Sequence, residues 1–532
     1  MLCHGQRRIT GMKTMKGRIG IVLFALLLTL PMMAFGADDG ASSYHVSRVL
    51  VKFKQVPSQD EVRSFALSHR LRFERAIPEI DVFCFHISRG ERVAKAVRRL
   101  ARDGRVEFAE PDYIRFATYT PNDPMFSSQW DMTRIGLPTY WDLELGDPSV
   151  VVAVLDTGID LDHPDLINQL WVNSDETPGD NDDDDGNGYN DDYNGYDFAG
   201  DGWFPSEGAE DPIPDDTYVG HGTHVSGTIA AEQDNEIGIS GEAPGVKLMA
   251  VRVLGGKLGA GFSSDIAEGI TYATDNGASV INMSLGGTAK SLTEYNALKY
   301  AWDNNVFIAA AAGNSGDSGN PIEYPAAYVF SMSVGAIDSA GNIATFSSHN
   351  EFLEVAAPGV NILSTVPGGL YEGGWSGTSM ATPHVAGLAA LLYSTYTGIE
   401  NWQVRSILQK GIIDRGAAGW DEYFGYGRVD CPQILATTLP SDNVLDILTP
   451  PNGIKFRTES LAAFLWNPVA GAASYRITAT LPTGGTYVID TNVPYYTVHP
   501  SQKMPAGTYS VTVQARNASG GVIASDTVSF RR

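Results

Sequence analysis

Four short apolar runs, VVVAVLDTG, KLMAVRVL, ASVINMSL and VFIAAAAG, recur between residues 118 and 440, and amphipathic segments such as SSDIAEGITYATDNG and TEYNALKYAWDNN separate them. Runs without polar alternation are what strands look like when both faces are covered, and strands joined through helices run parallel. The pattern predicts an α/β domain over 118–440 with a mostly parallel central sheet and helices on both faces. In such an open sheet, reactive groups gather where strands end and helices begin.

The flanks read differently. Residues 45–116 alternate strand (HVSRVLVKFK), helix (SQDEVRSFALSHR), strands (around RFERAIPEIDVFCFHIS), helix (ERVAKAVRRLARD) and strand (VEFAEPDYIRF), a small α+β unit of split βαβ order. After LPSDN, short alternating strands with turns, among them AAFLWNPVAGAASYRITATL and AGTYSVTVQARN, predict an antiparallel β-sandwich over 445–532. A chain of 532 residues has room for all three units.

The charged MKTMKGRIG, the apolar IVLFALLLTLPMMAFG and a small-residue exit make residues 1–36 a cleaved export signal, with translation able to start at Met12 or Met15. No later segment offers about 20 unbroken apolar residues, so the mature protein is expected to be soluble and extracellular or periplasmic. Cys3, Cys84 and Cys431 fall in three different segments, which argues against a disulfide framework.

The 37 basic and 62 acidic residues leave a net charge of −25, which argues against nucleic acid as partner. No Lys or Arg occurs between Arg134 and Lys247, whereas 41–117 holds 15 basic and 10 acidic residues. A basic unit thus precedes an acidic body, and the two charges suit each other.

Three segments place reactive side chains at strand-to-helix points. VVVAVLDTGID ends a strand at Asp156, GHGTHVSG opens a helix at His221, and GWSGTSMATPHVAG sets Ser379 in the first turn of a helix. A serine hydroxyl is a poor nucleophile unless a base lies within hydrogen-bond reach and a carboxylate holds that base in the right tautomer. Asp, His and Ser are the minimum set. The spacing of His221 and His224 also fits a zinc pair, although zinc needs further ligands and the cysteines are far away in sequence. Pro383 falls in the first helical turn after Ser379, where a missing amide donor is tolerated.

VLDTGID, GHGTHVSGT, AAAAGNSG and GTSMATPHVAG, in that order over about 118–440, resemble the motifs of subtilisin-like serine peptidases. The resemblance implies a three-layer subtilisin-like α/β fold, His221 as base, Asp156 as its partner and Ser379 as nucleophile. It also implies Asn314 as the amide donor of an oxyanion hole beside the Ser379 N–H, and a structural place for His224 and His384. Ser284, Leu285, Gly286 and Gly287, with Ala311, Ala312 and Gly313, would hold the substrate backbone as added strands. The 41–117 segment resembles the inhibitory prosegment of these peptidases, within a prosegment region of 37–117, and residues 445–532 resemble a fibronectin type III module with Trp466 and Tyr475 in its core.

DNDDDDGNGYNDD, residues 180–192, places Asn181, Asp183, Asp185 and Asp192 at positions one, three, five and twelve of a calcium loop, with Gly186 at six. Crowded carboxylates repel one another without a cation. Resemblance to the thermitase branch implies a second calcium site from Asp123, Asp165 and Asn235 with the carbonyls of Glu232, Ile237 and Ile239. By the same resemblance Glu323 of GNPIEYPAAY stands at the base of the primary specificity pocket, where a carboxylate would favour Lys or Arg. Arg115 of PDYIRFA then becomes a self-cleavage residue, with Phe116 and Ala117 as alternatives. The expected protein is a monomeric secreted serine endopeptidase, made as a zymogen and stabilised by calcium. The rival from another class is a calcium-dependent adhesive protein on an inactive peptidase fold.

Overall fold

The computed structural model of the protein describes residues 35–38, 41–88, 91–113, 119–200, 202, 210–458, 460, 462–498 and 504–532. The chain divides into two compact units, Met1–Ile114 and Arg115–Arg532. The export signal expected over 1–36 lies outside the described residues, apart from Phe35 and Gly36 at the start of the strand Phe35–Asp38. Arg115, Phe116 and Ala117 also lie outside them. Among the described residues, no helix is long and apolar enough to cross a membrane.

The first unit is a five-stranded antiparallel sheet with two helices, Gln59–Ser68 and Val93–Leu100. A capping box starts the first helix: the Glu61 amide donates to Ser58 Oγ at 3.4 Å, and the Ser58 amide donates to Glu61 Oε2 at 2.7 Å. Val62, Phe65 and Ala66 from one helix and Val93, Ala96 and Leu100 from the other bury against Val49, Val51 and Phe85 of the sheet.

In the second unit the strands are β1 (Val151–Asp156), β2 (Gly195–Asp197), β3 (Lys247–Arg252), β4 (Val280–Met283), β5 (Phe307–Ala311), β6 (Met332–Ile337) and β7 (Leu353–Pro358). A separate hairpin follows, β8 (Ile362–Val366) and β9 (Leu370–Trp375), and then the two-residue strands β10 (Ile412–Ile413) and β11 (Arg428–Val429). The nine-stranded sheet runs β10-β11-β7-β6-β5-β4-β1-β3-β2 and is parallel except for the β10–β11 pair.

Helices α1 (His221–Ala230) and α4 (Thr378–Thr395) cover one face, and α2 (Ser263–Asp275) and α3 (Leu292–Asp303) the other. Along β1, Val152 and Val154 pack with Val225, Ile229 and Leu388, while Val151, Ala153 and Leu155 pack with Ile266, Ile270 and Leu298. Residues 151–155 of the strand alternate between the two cores, which is why the run shows no polar alternation. The expected three-layer α/β architecture is present.

The C-terminal segment forms two antiparallel sheets, one of three strands (Ile447–Thr449, Ala463–Trp466, Tyr495–Thr497) and one of four (Thr486–Thr491, Ser474–Thr480, Thr508–Arg516, Val522–Arg531). Trp466 and Tyr475 meet edge to face at 5.4 Å in their core, and Tyr509 stacks on Phe530 at 5.1 Å. The sandwich is not an appended bead: Leu448, Leu465 and Tyr495 belong to the same apolar cluster as Tyr328 and Phe330 of the α/β domain.

Candidate active site

Asp156, fully buried, closes β1. Its Oδ1 accepts the Thr157 amide at 2.8 Å and lies 2.7 Å from His221 Nδ1. His221 opens α1, and the next residue must be glycine: a Cβ on Gly222 would come within 2.1 Å of Gly158 O and 3.1 Å of Asp156 Cβ. The helix N-terminus lacks a side-chain cap, and the buried Asp216 satisfies it from outside. Asp216 Oδ1 accepts the Gly220 amide at 2.9 Å, and Oδ2 accepts the Thr223 amide and hydroxyl at 3.0 and 2.9 Å. Sequence reasoning missed Asp216; its one signal was an acid five positions before the histidine in DTYVGH.

Burial opposes a charge on His221, but the charge and hydrogen bond of Asp156, with the charge of Asp216 behind it, outweigh burial and hold the imidazole pKa above its ordinary value. His224 is the opposite case. Its buried ring stacks on Trp375 at 4.7 Å and 15°, and burial followed by the His221 charge pushes its pKa down to about 3. The zinc pair open in the sequence finds no third ligand among the described residues. Among the described residues, the group with metal-ligand spacing is Glu176, Asp183 and Asp185, which contains neither histidine.

Ser379 is the second residue of α4. The helix starts at Thr378, so Pro383 lies beyond the first turn, contrary to the sequence expectation. Pro383 has no amide for Ser379 O, four residues back, and the Ser284 hydroxyl donates to that carbonyl instead at 2.8 Å. The Ser379 hydroxyl in turn donates to Ser284 O at 3.0 Å. The Ser379 hydroxyl is thus held by the segment that follows β4.

Asn314 follows β5. Its Oδ1 accepts both the Thr378 amide, at 2.8 Å, and the Thr378 hydroxyl, at 3.0 Å. With the oxygen so committed, Nδ2 is the end left to donate into the cleft. The Ser379 amide lies in the first turn of α4, where no intrahelical acceptor exists.

His221, Ser379 and Asn314 line one cavity of about 650 Å³. Ser284, Leu285, Gly286, Gly287, Ala311 and Gly313 also line it. Ala312 is not among the lining residues: it is buried, and its amide donates to Val334 O at 3.0 Å. Gly287 departs from its expected role as well, because its amide and carbonyl are both paired with Tyr324, at 2.9 and 2.8 Å.

Glu323 lines the same cavity, half-buried, with its carboxylate against Gly313 and Gly286. A Cβ on Gly313, whose φ is +105°, would sit 2.2 Å from Glu323 Oε1. Burial raises the Glu323 pKa, opposed by hydrogen bonds from Ser315 and Ser348.

Comparison with known proteins shows what this arrangement belongs to. Residues 147–427 match the model of the subtilase family, and residues 36–112 that of the fervidolysin N-terminal prodomain. The chain belongs to the subtilase family. It is 37% identical over 391 residues to a thermophilic serine proteinase of Bacillus sp. (strain AK1), covering 73% of this chain and 87% of that one. It is 38% identical over 318 residues to thermitase of Thermoactinomyces vulgaris, covering 59% of this chain and 98% of that one. The crystal structure of fervidolysin from Fervidobacterium pennivorans, a keratinolytic enzyme related to subtilisin, is similar at a TM-score of 0.51 and 25% identity, covering 93% of this chain and 77% of that one. This subtilase is a subtilisin-like serine endopeptidase with a fervidolysin-like prodomain.

Two acidic clusters of the subtilase lie apart from the residues just described. In the first, Asp165 Oδ1 accepts Asn235 Nδ2 at 2.6 Å and Oδ2 accepts the Ile239 amide at 3.0 Å. Asp123 accepts the Asp234 and Asn235 amides at 3.0 and 3.3 Å, the Glu232 amide donates to Asp165 O at 2.9 Å, and the Ile237 amide donates to Asn235 Oδ1 at 2.9 Å. Burial raises the pKa of both Asp123 and Asp165.

The second cluster differs from the loop expected from spacing. Asp183 and Asp185 converge with Glu176, and Asp185 is joined to the buried Asp192 through Nδ2 of Asn173 and of Asn187. Asp192 also accepts the Tyr272 hydroxyl at 2.6 Å. Asn181 takes part through its backbone: its amide donates to Asp191 Oδ2 and its carbonyl accepts Asn190 Nδ2. Asn173 and Glu176 lie outside the loop and were not legible in its spacing.

Proposed function

We propose that this subtilase is a secreted, calcium-stabilised endopeptidase, made as a zymogen that removes its own prosegment and favouring Lys or Arg before the cleaved bond. The observation that carries the catalytic assignment is the 2.7 Å contact of Asp156 with His221 in a cleft shared with Ser379 and Asn314. His221 Nε2 takes the proton as Ser379 Oγ attacks a peptide carbonyl, and Asp156 keeps the other ring nitrogen protonated and the ring in place. Asn314 Nδ2 and the Ser379 amide donate to the oxygen as it gains charge. His221 then protonates the leaving amine, and water, deprotonated by the same imidazole, releases the acyl group.

This pair, intact and facing a cavity, supports catalysis over the adhesive alternative. In the test, the full chain hydrolyses casein in calcium buffer, a serine-directed phosphonate abolishes the activity, and a zinc-selective chelator leaves it. Phosphonate resistance with loss to the zinc chelator would sink the reading.

Calcium suits both acidic clusters because their donors are oxygens and burial, which raises the pKa of Asp123, Asp165 and Asp192, disfavours their charged forms unless a cation offsets them. Asp123, Asp165 and Asn235, with the carbonyls of Glu232, Ile237 and Ile239, would hold one ion. Glu176, Asp183 and Asp185, with Asp192 beside them, would hold another. A bound ion supplies charge compensation and ties distant segments together. At 100 times its dissociation constant each ion adds about 2.7 kcal/mol, so a calcium chelator is expected to lower Tm by about 5 °C per site. An unchanged Tm on adding the chelator would count against calcium.

The selectivity reading rests on Glu323, which supports recognition of a basic side chain from within the cavity. Glu323→Gln is expected to lower kcat/KM for peptides with Arg before the cleaved bond about 100-fold while leaving Phe peptides unchanged. Wild-type cleavage that is faster after Phe or Leu than after Arg would remove this reading.

A further inference from the structure

The C-terminal sandwich reaches the wall that carries Glu323. Residues 313–324 leave the cavity at Gly313 and Asn314 and return to it at Glu323 and Tyr324. A second segment, 346–351, backs the intervening loop. The Gly316 amide donates to Phe346 O at 2.8 Å, the Ser315 amide to Ser348 Oγ at 3.2 Å, and the Ser348 amide to Gly313 O at 2.8 Å. Asn320 and His349 exchange two hydrogen bonds, from the His349 amide to Asn320 Oδ1 at 2.9 Å and from Asn320 Nδ2 to His349 O. Ser348 Oγ also reaches Glu323 Oε1 at 3.5 Å. Loop and backing segment form a double wall with the Glu323 carboxylate on its cavity side.

One residue of the sandwich grips both layers. Arg457 Nη1 donates to Asn320 O at 2.7 Å, and Nη2 to His349 O at 3.4 Å. The arginine is itself held: its amide donates to Glu351 Oε1 at 2.8 Å, its Nε lies 3.3 Å from Glu351 Oε2, and the Ser460 hydroxyl donates to the same carboxylate. The Glu351 side chain is only 4% exposed, so this ion pair is desolvated on the acid side. A planar guanidinium spans two carbonyls in a way that a lysine ammonium cannot.

We propose that Arg457 is a positioning residue for substrate selection: by clamping Asn320 O and His349 O it fixes the double wall, making the C-terminal sandwich part of the specificity pocket. The inference rests on the reading of Glu323 as the pocket carboxylate. Arg457 touches neither substrate nor the reacting atoms. Its removal loosens the wall while Asp156, His221, Ser379 and the Thr378-anchored Asn314 keep their partners, so the effect belongs in KM rather than kcat.

The test uses the full self-processed chain with Arg457→Ala, Arg457→Lys, Glu351→Gln and Glu323→Gln, thermal unfolding, and four peptides differing only in Arg, Lys, Phe or Leu before the cleaved bond. Arg457→Ala is expected to raise KM for the Arg and Lys peptides about tenfold, with kcat and the Phe and Leu values within about twofold; Arg457→Lys falls between. A lower Tm with every KM unchanged would overturn the proposal and leave Arg457 as an anchor of the sandwich. If Arg457→Ala does not fold, Arg457→Lys and Glu351→Gln carry the same decision. If Glu323→Gln leaves the Arg-to-Phe ratio untouched, the charge reading of the pocket is what has failed; the clamp then stands if Arg457→Ala raises KM for all four peptides and falls if it does not.

Discussion

The Ser379→Ala chain is expected to keep its prosegment and to hydrolyse casein about four to six orders of magnitude more slowly than wild type, the scale such nucleophile deletions have in other serine peptidases. The loss is this large because the side chains act as a unit. Without Oγ the His221–Asp156 pair has nothing to activate, and the Asn314 amide stabilises an oxyanion that seldom forms. The substitution should leave the fold alone. Ser379 is not a cap of α4, and its hydroxyl has one hydrogen bond, to Ser284 O, worth about 1 kcal/mol. Mass spectrometry of the purified chain over time checks it: wild type sheds mass and the variant does not. A variant that matures on its own would remove Ser379 from the reaction.

Asp156→Asn is expected to lower kcat about 10⁴-fold, because an amide at this position can present its NH₂ to His221 Nδ1 and fix the wrong tautomer. The pH profile carries a second, signed expectation. The base must be neutral, so kcat/KM rises with pH through the His221 pKa, which Asp156 holds above the ordinary value against burial. Removing the carboxylate's charge leaves burial less opposed, and the acid limb of the profile moves to lower pH while its plateau falls. Stability follows the same linkage. In wild type the raised folded pKa contributes stability below the unfolded pKa of histidine, lost as pH rises through the folded value, and the variant lacks that contribution. An acid limb that stays in place would mean Asp156 does not set the charge on His221.

Much of this was legible in the chain before folding. The doubly covered sheet could be read because each residue of β1 is buried on one face or the other, leaving an apolar run with no alternation. The candidates Asp156, His221 and Ser379 could be read because each stands at a strand or helix end inside a short motif, and Asn314 only through the family resemblance of its motif. What could not be read depends on contacts between distant segments. Asp216 serves a helix that it does not belong to, and Asn173 and Glu176 join an acidic loop from outside it. Gly287 spends its backbone on Tyr324, 37 residues away. The same is true of the sandwich. Its strand pattern was visible, but the packing of Tyr495 on Phe330 and the reach of Arg457 to Asn320 arise only once the two domains are folded together.

The central claim is that Ser379 is a nucleophile activated by His221 and Asp156. Locating the adduct left by a serine-directed phosphonate tests it most directly. The mature wild-type chain should gain one adduct mass, mapping by peptide fragmentation to Ser379, and Asp156→Asn should acquire it far more slowly. An adduct on another residue, or equal labelling of the two proteins, would contradict the account.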